Sequence, residues 1–492
     1  MGRATPLGRD EDGTAARYAT ALLASLGVQG RVEVAAQHPA LAWARSGLME
    51  LTGLRQGPAE MCPAPIAAAA DGALAALASI APDNTLDGLS GSRLLAERAA
   101  ITGHSRNGSI SPGGGCRLLD AADDNIALNL ARDVDWELLA AWLEEGGAFD
   151  WDRVAAEVRR RSAVELVGRG RLLGLAVAPD EPVRQGGASW LSLVGAASAA
   201  STGARSRTLE SRLKPLLHVR GQGHPPRVVD LSSLWAGPLC GHLLQRLGCE
   251  VIKVESRARP DGARQGPATF FDLLNAGKAS VALDLHDERG RRQLRALLAS
   301  ADIVIEGSRP RALQQMGIDP QAIIASQPSL TWVGITGYGR ALPQGEWIGY
   351  GDDAGVAAGL SAVMREATGA DLVAGDAIAD PLAGIHAALA AWATHRQGGG
   401  RIVSIALRDV VRGALEFEPA ADLAARMLAW NEIARPDGGA RRPQARAVTG
   451  FGAPLGADTD RVLGALGRVT RLREATPRPR RDTAREPARR HA

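Results

Sequence analysis

Three groups of residues in this chain could do chemistry. The first is a turn, Leu234-Trp235-Ala236-Gly237-Pro238, which follows the apolar run RVVDLSSL and opens a stretch of helical spacing, AGPLCGHLLQRLG. A strand that passes through such a turn into a helix gathers backbone N–H groups and the positive end of a helix dipole, which suits a phosphate. The turn lacks the G-x-G-x-x-G spacing of a dinucleotide loop. The second group is arginine. Arg257, Arg259, Arg264, Arg309 and Arg311 could each grip phosphate oxygens with two N–H groups, and each also reads as a solvated surface residue. The third group is Asp380 in IADPLAG and the triple glycine Gly113-Gly114-Gly115. Read alone, Asp380 is a helix N-cap and the glycines are a pliant surface loop. His38, before Pro39, reads as a helix-entry residue, His386 as packing, and Asp376 as a solvated loop residue. Cys62, Cys116, Cys240 and Cys249 show no metal-ligand spacing, so no metal is expected.

The elements that must hold these groups follow from pattern. Residues 15–215 are rich in Ala and Leu, with helical spacing in ALAWARSGLMEL and ADGALAALASI. Arg117–Leu130 (RLLDAADDNIALNL) predicts a hairpin, and Asp150–Leu173 one or two amphipathic helices. Gly and Pro in Val219–Pro226 (VRGQGHPP) break both helix and strand. Beyond them the period changes. RVVDLSSL, EVIKVE, SVALDL, DIVIEG and LTWVGITGYG alternate with helical stretches, which predicts a parallel sheet covered on both faces. Helical, Ala-rich character returns from Gly339 to Thr394, and RIVSIAL reads as a further strand.

Composition closes off several functions. The chain has 492 residues, of which 45% are hydrophobic and 23% charged, an ordinary globular make-up. Its 57 basic and 54 acidic residues leave a formal charge of +3, too balanced for a protein built to hold nucleic acid. Only Lys214, Lys253 and Lys278 are lysines, and the arginine excess reads as coding bias. No window is apolar for long enough to span a membrane, and the first residues do not form a secretory signal. A reducing cytoplasm is the expected location. The tail from Arg471 holds eight arginines, three acids and three prolines among 22 residues, which reads as a solvated end or a weak contact for polyanions.

Val228–Gly339 resembles the class III CoA-transferase family, which includes formyl-CoA and carnitine-CoA transferases and alpha-methylacyl-CoA racemases. The resemblance is carried by VVDLSSLWAGPLCGHLLQRLGCEVIKVE, FFDLLNAGKASVALDL, GRRQLRALLASADIVIEGSRPRALQQMGID and ITGYG, in that order and spacing. It continues through ADPLAGIHAALAA and VSIALRDVVRGAL, and PLGADTDRVLGALG looks like the family's terminal helix. The resemblance implies an α/β fold, a Rossmann-like parallel sheet with flanking helices plus a smaller α+β domain. It implies that Asp380, before Gly384-Ile385-His386, is the carboxylate that attacks an acyl-CoA and then carries CoA as an aspartyl thioester. It places the CoA nucleotide near Leu234, Trp235, Ala236, Gly237 and Pro238, with Arg257, Arg309 and Arg311 on its phosphates. The substrates would be an acyl-CoA and a carboxylic acid, with no permanently bound cofactor, in an interlocked homodimer that touches neither nucleic acid nor membrane. Trp235 reads equally as an acyl-pocket wall or as a core residue.

The order of parts departs from the family. The smaller domain is missing after Asp380, and Arg106–Trp136 looks like its opening, with Gly113, Gly114 and Gly115 where some members carry a loop over the aspartyl intermediate. An Arg used by some members for CoA phosphates falls on Gln315. Residues 38–80 also resemble 351–392, and placing Gly72 on Gly384 puts Ala68 where Asp380 stands. Racemases of the family pair the Asp with a His about 30 residues upstream as a second base. That position falls near Gly351 in one copy, and on His38 opposite Ala68 in the other, so neither copy holds the pair. The expected organisation is a section at 1–218 with the Gly loop and a degenerate repeat, a linker at 219–226, the CoA-binding section at 227–340, a section at 341–470 with Asp380 and the terminal helix, and a disordered basic tail at 471–492. The expected function is CoA transfer between an acyl-CoA and an acid. A non-catalytic acyl-CoA-binding paralogue and a racemase are the alternatives. The two sections are expected to complement one another, which requires residues 100–190 to pack near Asp380.

Overall fold

The computed structural model describes residues 13–183, 189–195 and 224–466; Lys214, most of the 219–226 stretch and the Arg-rich tail lie outside the described residues. Seven strands form the main sheet, in the order β4-β10-β9-β8-β5-β6-β7. They are β4 (Leu191–Gly195), β5 (Arg227–Asp230), β6 (Glu250–Ser256), β7 (Ala279–Leu283), β8 (Ile303–Glu306), β9 (Thr331–Thr336) and β10 (Arg401–Ala406). All neighbours are parallel except β4, which runs antiparallel along β10 with Leu191 opposite Ile405. β5 to β10 fall on the six apolar runs picked out above. β4 was not anticipated. It precedes the 219–226 stretch, so the chain on both sides of that stretch shares one sheet.

Alternation along each strand feeds two cores. Val228, Ile303, Ile305, Val333 and Val403 face a large core with the Ala-rich helices, while Val229, Ile252, Val304 and Trp332 face Leu294, Leu297 and Leu298. The helices that matter for the site are α1 (Thr14–Ser25), α2 (Pro39–Ser46), α3 (Ile66–Ile80), α4 (Glu97–Thr102), α5 (Ala236–Arg246), α6 (Glu288–Ala299), α7 (Gly351–Ala357), α8 (Ala379–Arg396) and α9 (Leu407–Glu416). Nearly every residue of α8 is buried, so it has no polar face and runs through the core rather than over it.

A second, three-stranded antiparallel sheet is built from β1 (Cys116–Asp120), β2 (Asn125–Asn129) and β3 (Ala176–Pro179). The hairpin foreseen in RLLDAADDNIALNL is β1–β2. β3 is a short apolar piece that carried no alternation to read. β2 and β3 both pack on α7. The mixed α/β architecture, a mostly parallel sheet with flanking helices and a small antiparallel sheet, is the expected fold class. At the far edge, Ser280 of β7 donates its N–H to Asp458 and Ala282 donates to Thr459, which seats the stretch read as a terminal helix.

The repeat noticed between residues 38–80 and 351–392 is a repeat of packing. α3 lies against α1 as α8 lies against α5, and α3 and α8 pack on each other. A Cβ on Gly72 would lie 2.5 Å from the carbonyl oxygen of Ala15, and one on Gly384 would lie 2.7 Å from that of Ala236. Both glycines admit the first turn of the neighbouring helix. The paired helices also share the ending L-L-x-x-L-G, Leu22–Gly27 and Leu243–Gly248, and both terminal glycines take positive φ, 71° and 92°. Ala68, which stands in register with Asp380, is buried in the core.

Candidate active site

β5 is where the strand order reverses, with β6 and β7 on one side and β8, β9 and β10 on the other. Ligands of open parallel sheets bind in the crevice beyond the carboxyl ends at such a point. The turn 231–235 leaves the end of β5, Arg257 follows β6, and Gly307 to Arg311 follow β8, so three neighbouring strand ends bring the expected nucleotide residues to one edge. Arg257, Arg309 and Arg311 are exposed, and Arg311 lies 3.5 Å from Glu346. Arg264 is otherwise engaged: its Nε and Nη2 donate to Glu255 at 2.9 and 2.7 Å, and it lies over the Phe271 ring.

The turn itself is held by buried charge. Asp261 accepts the N–H of Leu234 at 2.9 Å and meets Lys253 Nζ at 2.8 Å. Lys278 Nζ donates to Asp230 at 3.0 Å and to the Pro238 carbonyl at 2.9 Å. Lys253 and Lys278, the two lysines among the described residues, are therefore buried ion-pair residues beneath the turn. This tethering holds Leu234 at φ +69°, a conformation that side chains avoid. Leu234 is exposed while Trp235, Ala236, Gly237 and Pro238 are buried. A Cβ on Gly237 would lie 2.1 Å from Ser232 Oγ, so this glycine is required by the turn's own hydroxyl. Trp235 meets Phe270 edge-to-face, with centroids 5.4 Å apart.

Asp380 is not an N-cap. Ile378 occupies that position, and Asp380 lies in the first turn of α8, where it accepts the backbone N–H of Gly351 at the start of α7. It retains some exposure to solvent. Burial pushes its carboxyl up to about 7; Arg98 opposes that shift, while Asp352 and Asp353 add to it. Asp352 is pushed up to about 7 and Asp353 to about 6, in each case chiefly by burial. Asp353 accepts from Tyr338 Oη at 2.7 Å, from the N–H of Tyr350 at 2.9 Å and from Asn129 Nδ2 at 3.2 Å. Asp352 accepts the N–H of Ala377 at 2.8 Å.

Asp376 overturns its reading as a solvated loop residue. It is fully buried, and Arg98 grips it with Nε at 2.8 Å and Nη2 at 2.5 Å, while His104 Nδ1 lies 3.3 Å away. Burial works against its charge, but Arg98 and His104 outweigh that and hold it well below the usual carboxylate range. A loop carboxylate looks solvated from sequence because its cation lies 278 residues away. His386 is packing, as read. Its Nδ1 lies 2.8 Å from the Leu382 carbonyl and so carries the proton, its Nε2 accepts from Tyr18 Oη at 2.9 Å, and burial lowers it to about 4. His38 is the N-cap of α2, accepting the N–H of Ala40.

The segment before the sheet reaches this cluster. A Cβ on Gly113 would come within 3.3 Å of His104, 3.7 Å of Arg98 Nη2 and 3.8 Å of Asp376 Oδ1. Gly114 has φ +82° and closes a turn onto Ser111, and the Gly115 carbonyl accepts from Leu130 at the end of β2. Asn129 of β2 holds Asp353, and Val373 donates to the Gly108 carbonyl at 2.9 Å. The described residues between 100 and 183 thus pack against the elements around Asp380, through the 108–115 stretch, β2 and β3. Position 351 admits no side chain: a Cβ there would lie 2.3 Å from the Ala377 carbonyl and 2.6 Å from Asp380 Oδ2. Pattern reading missed Arg98, His104, Asp352 and Asp353. The Gly-Asp-Asp that opens α7 was the one local signal available, since two acids in a first helical turn favour the helix dipole.

Residues 226–453, just under half of the chain, match the model of CoA-transferase family III. The succinate–glutarate CoA-transferase of Agrobacterium fabrum is 32% identical over 206 residues, covering 38% of this chain and 52% of the relative. The succinyl-CoA–D-citramalate CoA-transferase of Chloroflexus aurantiacus is 29% identical over 201 residues, covering 39% and 50%. A crystal structure of a CAIB/BAIF family protein from Brucella suis matches at 30% identity over 44% of this chain and 58% of that one, with a TM-score of 0.35. The chain spans about half the length of the curated relatives it matches. The part of the chain that is similar to CoA-transferase family III therefore holds β5 to β10, the 231–238 turn and the Asp380 helix.

Proposed function

We propose that this chain moves CoA between an acyl-CoA and a carboxylic acid, with Asp380 as the covalent carrier. The observation that supports it most is the place of Asp380: a carboxylate in the first turn of a core helix, against the backbone N–H of Gly351, inside the segment that matches CoA-transferase family III. The ionised Asp380 attacks the thioester carbonyl and expels CoA thiolate, leaving a mixed anhydride. The thiolate returns to the Asp380 carbonyl and expels the donor carboxylate, which leaves aspartyl-CoA. The acceptor carboxylate then attacks that thioester, and the same two steps in reverse release the new acyl-CoA and free Asp380. The thiolate is conserved through the cycle, so no permanent cofactor is needed. The CoA nucleotide belongs at the 231–238 turn, with Arg257, Arg309 and Arg311 for its phosphates and the Gly113–Gly115 loop over the carrier.

No helix of the described residues is long and apolar enough to cross a membrane, and the four cysteines are free and buried, which fits a reducing cytoplasm. The interlocked homodimer belongs to the same reading, and the particle mass in solution measures it. The first experiment is intact-mass analysis of the full chain after incubation with a panel of acyl-CoAs, with hydroxylamine or borohydride trapping. The expected result is an adduct that maps to Asp380 and vanishes in Asp380→Ala. CoA binding without any adduct would instead support the non-catalytic acyl-CoA-binding paralogue. Racemisation is disfavoured because the place of the family's second base falls near Gly351, where a Cβ would meet the Ala377 carbonyl and Asp380 Oδ2.

A further inference from the structure

We propose that Arg171 and Arg408, set against the rings of Tyr338 and Trp347, form a binding site for a small organic carboxylate. The site does not depend on Asp380 carrying CoA. Arg171 belongs to the last turn of the helix Ala163–Leu173, in the segment before the main sheet and outside the 226–453 match. Its guanidinium carbon lies 3.7 Å from the centroid of the Trp347 ring and 5.5 Å from that of Tyr338. Arg408, at the head of α9, lies 5.8 Å from the same Tyr338 ring, and its backbone N–H donates to the Gly337 carbonyl at 3.1 Å. Tyr338 follows the end of β9 and Arg408 the end of β10. The group therefore sits at the carboxyl edge of the sheet, where open parallel sheets take their ligands.

What marks the group is a cation without an acceptor. A guanidinium carries five N–H donors in a rigid fork. Arg171 Nε is sealed from solvent with no hydrogen-bond partner, and neither Nη finds an acceptor or an ion-pair partner among the described residues. The neighbouring charges are answered: Arg408 Nε donates to Asp409 at 2.8 Å, and Asp353 is held by Tyr338, Tyr350 and Asn129. Burial holds the Arg171 guanidinium below its usual value, and Arg408 adds to that, against Tyr338, Glu181 and Asp353. The ring faces favour its charge but offer no lone pair to N–H groups in the guanidinium plane. A partly buried charge left this way costs stability, and a bound anion explains why the fold keeps it. The fork matches the two oxygens of a carboxylate. With Arg408 matched by Asp409, one positive charge is left over, which suits a monoanion better than a phosphate dianion. The flanking rings favour a carboxylate on an aromatic or apolar body.

The experiment reads binding at Trp347 in the full chain. The protein is labelled with 5-fluorotryptophan, and the 19F resonance of Trp347 is assigned among the ten tryptophans by its loss in Trp347→Phe. Benzoate is titrated at neutral pH, with benzamide as its uncharged counterpart and inorganic phosphate as a competing anion. Benzoate should shift the Trp347 resonance saturably and benzamide should not. Arg171→Met should weaken benzoate binding about tenfold or more, Arg408→Met should weaken it less, and phosphate should not displace benzoate at equal concentration. Without ligand, Arg171→Met should melt no lower than wild type, because it removes an unpaired charge and keeps an apolar stem against the rings. The absence of a saturable shift in wild type, equal affinity for benzamide, or unchanged benzoate affinity in Arg171→Met overturns the proposal. A lower Tm of ligand-free Arg171→Met, which a purely structural stacking role predicts, overturns it too. Displacement of benzoate by phosphate overturns the carboxylate assignment. None of these readouts involves CoA transfer, so failure of the transferase reading would show separately, as a missing Asp380 adduct.

Discussion

Arg98 and Asp376 form a two-point ion pair across 278 residues of chain, with Nη2 and Oδ1 2.5 Å apart. Asp376 is fully buried and Arg98 mostly so. Removing the acid strands a guanidinium that has lost its partner, and breaking a buried pair costs about 3 kcal/mol or more. Asp376→Ala is therefore expected to lower the denaturation midpoint by about 2 to 3 kcal/mol equivalent, the low end reflecting the exposed edge of Arg98. Urea unfolding at neutral pH checks it, and a loss below about half a kcal/mol would contradict the assignment.

The raised carboxyls make stability pH-dependent in a defined direction. Asp380 and Asp352 hold their protons to about 7 and Asp353 to about 6, well above their unfolded values. Between about pH 4 and 7 the folded chain binds more protons than the unfolded one, so these three groups contribute stability that is lost as pH rises through that window. Asp376 acts oppositely, and its contribution is lost as pH falls below the ordinary carboxylate range. Asp380→Asn should flatten the decline from pH 5.5 to 8 and raise Tm at pH 8, while abolishing any adduct. A thermal scan across that range tests it; an unchanged slope would count against the raised carboxyl.

Gly351 packs directly against Asp380. Gly351→Ala should abolish adduct formation or reduce it by at least about tenfold, since its Cβ meets both the Ala377 carbonyl and Asp380 Oδ2. Gly351→His should not install alpha-proton exchange. Deuterium incorporation into 2-methylacyl-CoA is the measurement, and exchange in that variant would revive the racemase reading.

Gly72 and Gly384 should respond alike. Each sits inside a helix where alanine alone would favour the helix by about 1 kcal/mol. Each also faces a carbonyl oxygen closer than any Cβ tolerates. Overpacking costs about 1 to 3 kcal/mol, so both Gly→Ala variants should destabilise, by similar amounts. A stabilised Gly72→Ala with a destabilised Gly384→Ala would show that the two helix pairs are not equivalent.

Much of the fold was legible because it is written locally. Apolar runs such as EVIKVE and DIVIEG must be buried on both faces, and the alternation of strand and helix then leaves few topologies. Local pattern also gave the hairpin at 116–129 and the packing role of His386. It could not give β4, whose five residues become a strand only against β10. It misjudged Asp376, and it passed over Arg98, His104, Asp352 and Asp353, because charge in a sequence carries no partner.

The parallel strands, the 231–238 turn and the place of Asp380 at the head of its helix are each set by residues within a few positions of one another, and so can be read without a fold. Packing alone brings Asp352, Asp353, Asp376 and Asp380 into one region, sets Arg98 from a distant helix on Asp376, and places Lys253 and Lys278 beneath the turn. The physical reason is that a carboxyl's burial and charge depend on groups brought near by packing, and here those groups come from opposite ends of the chain.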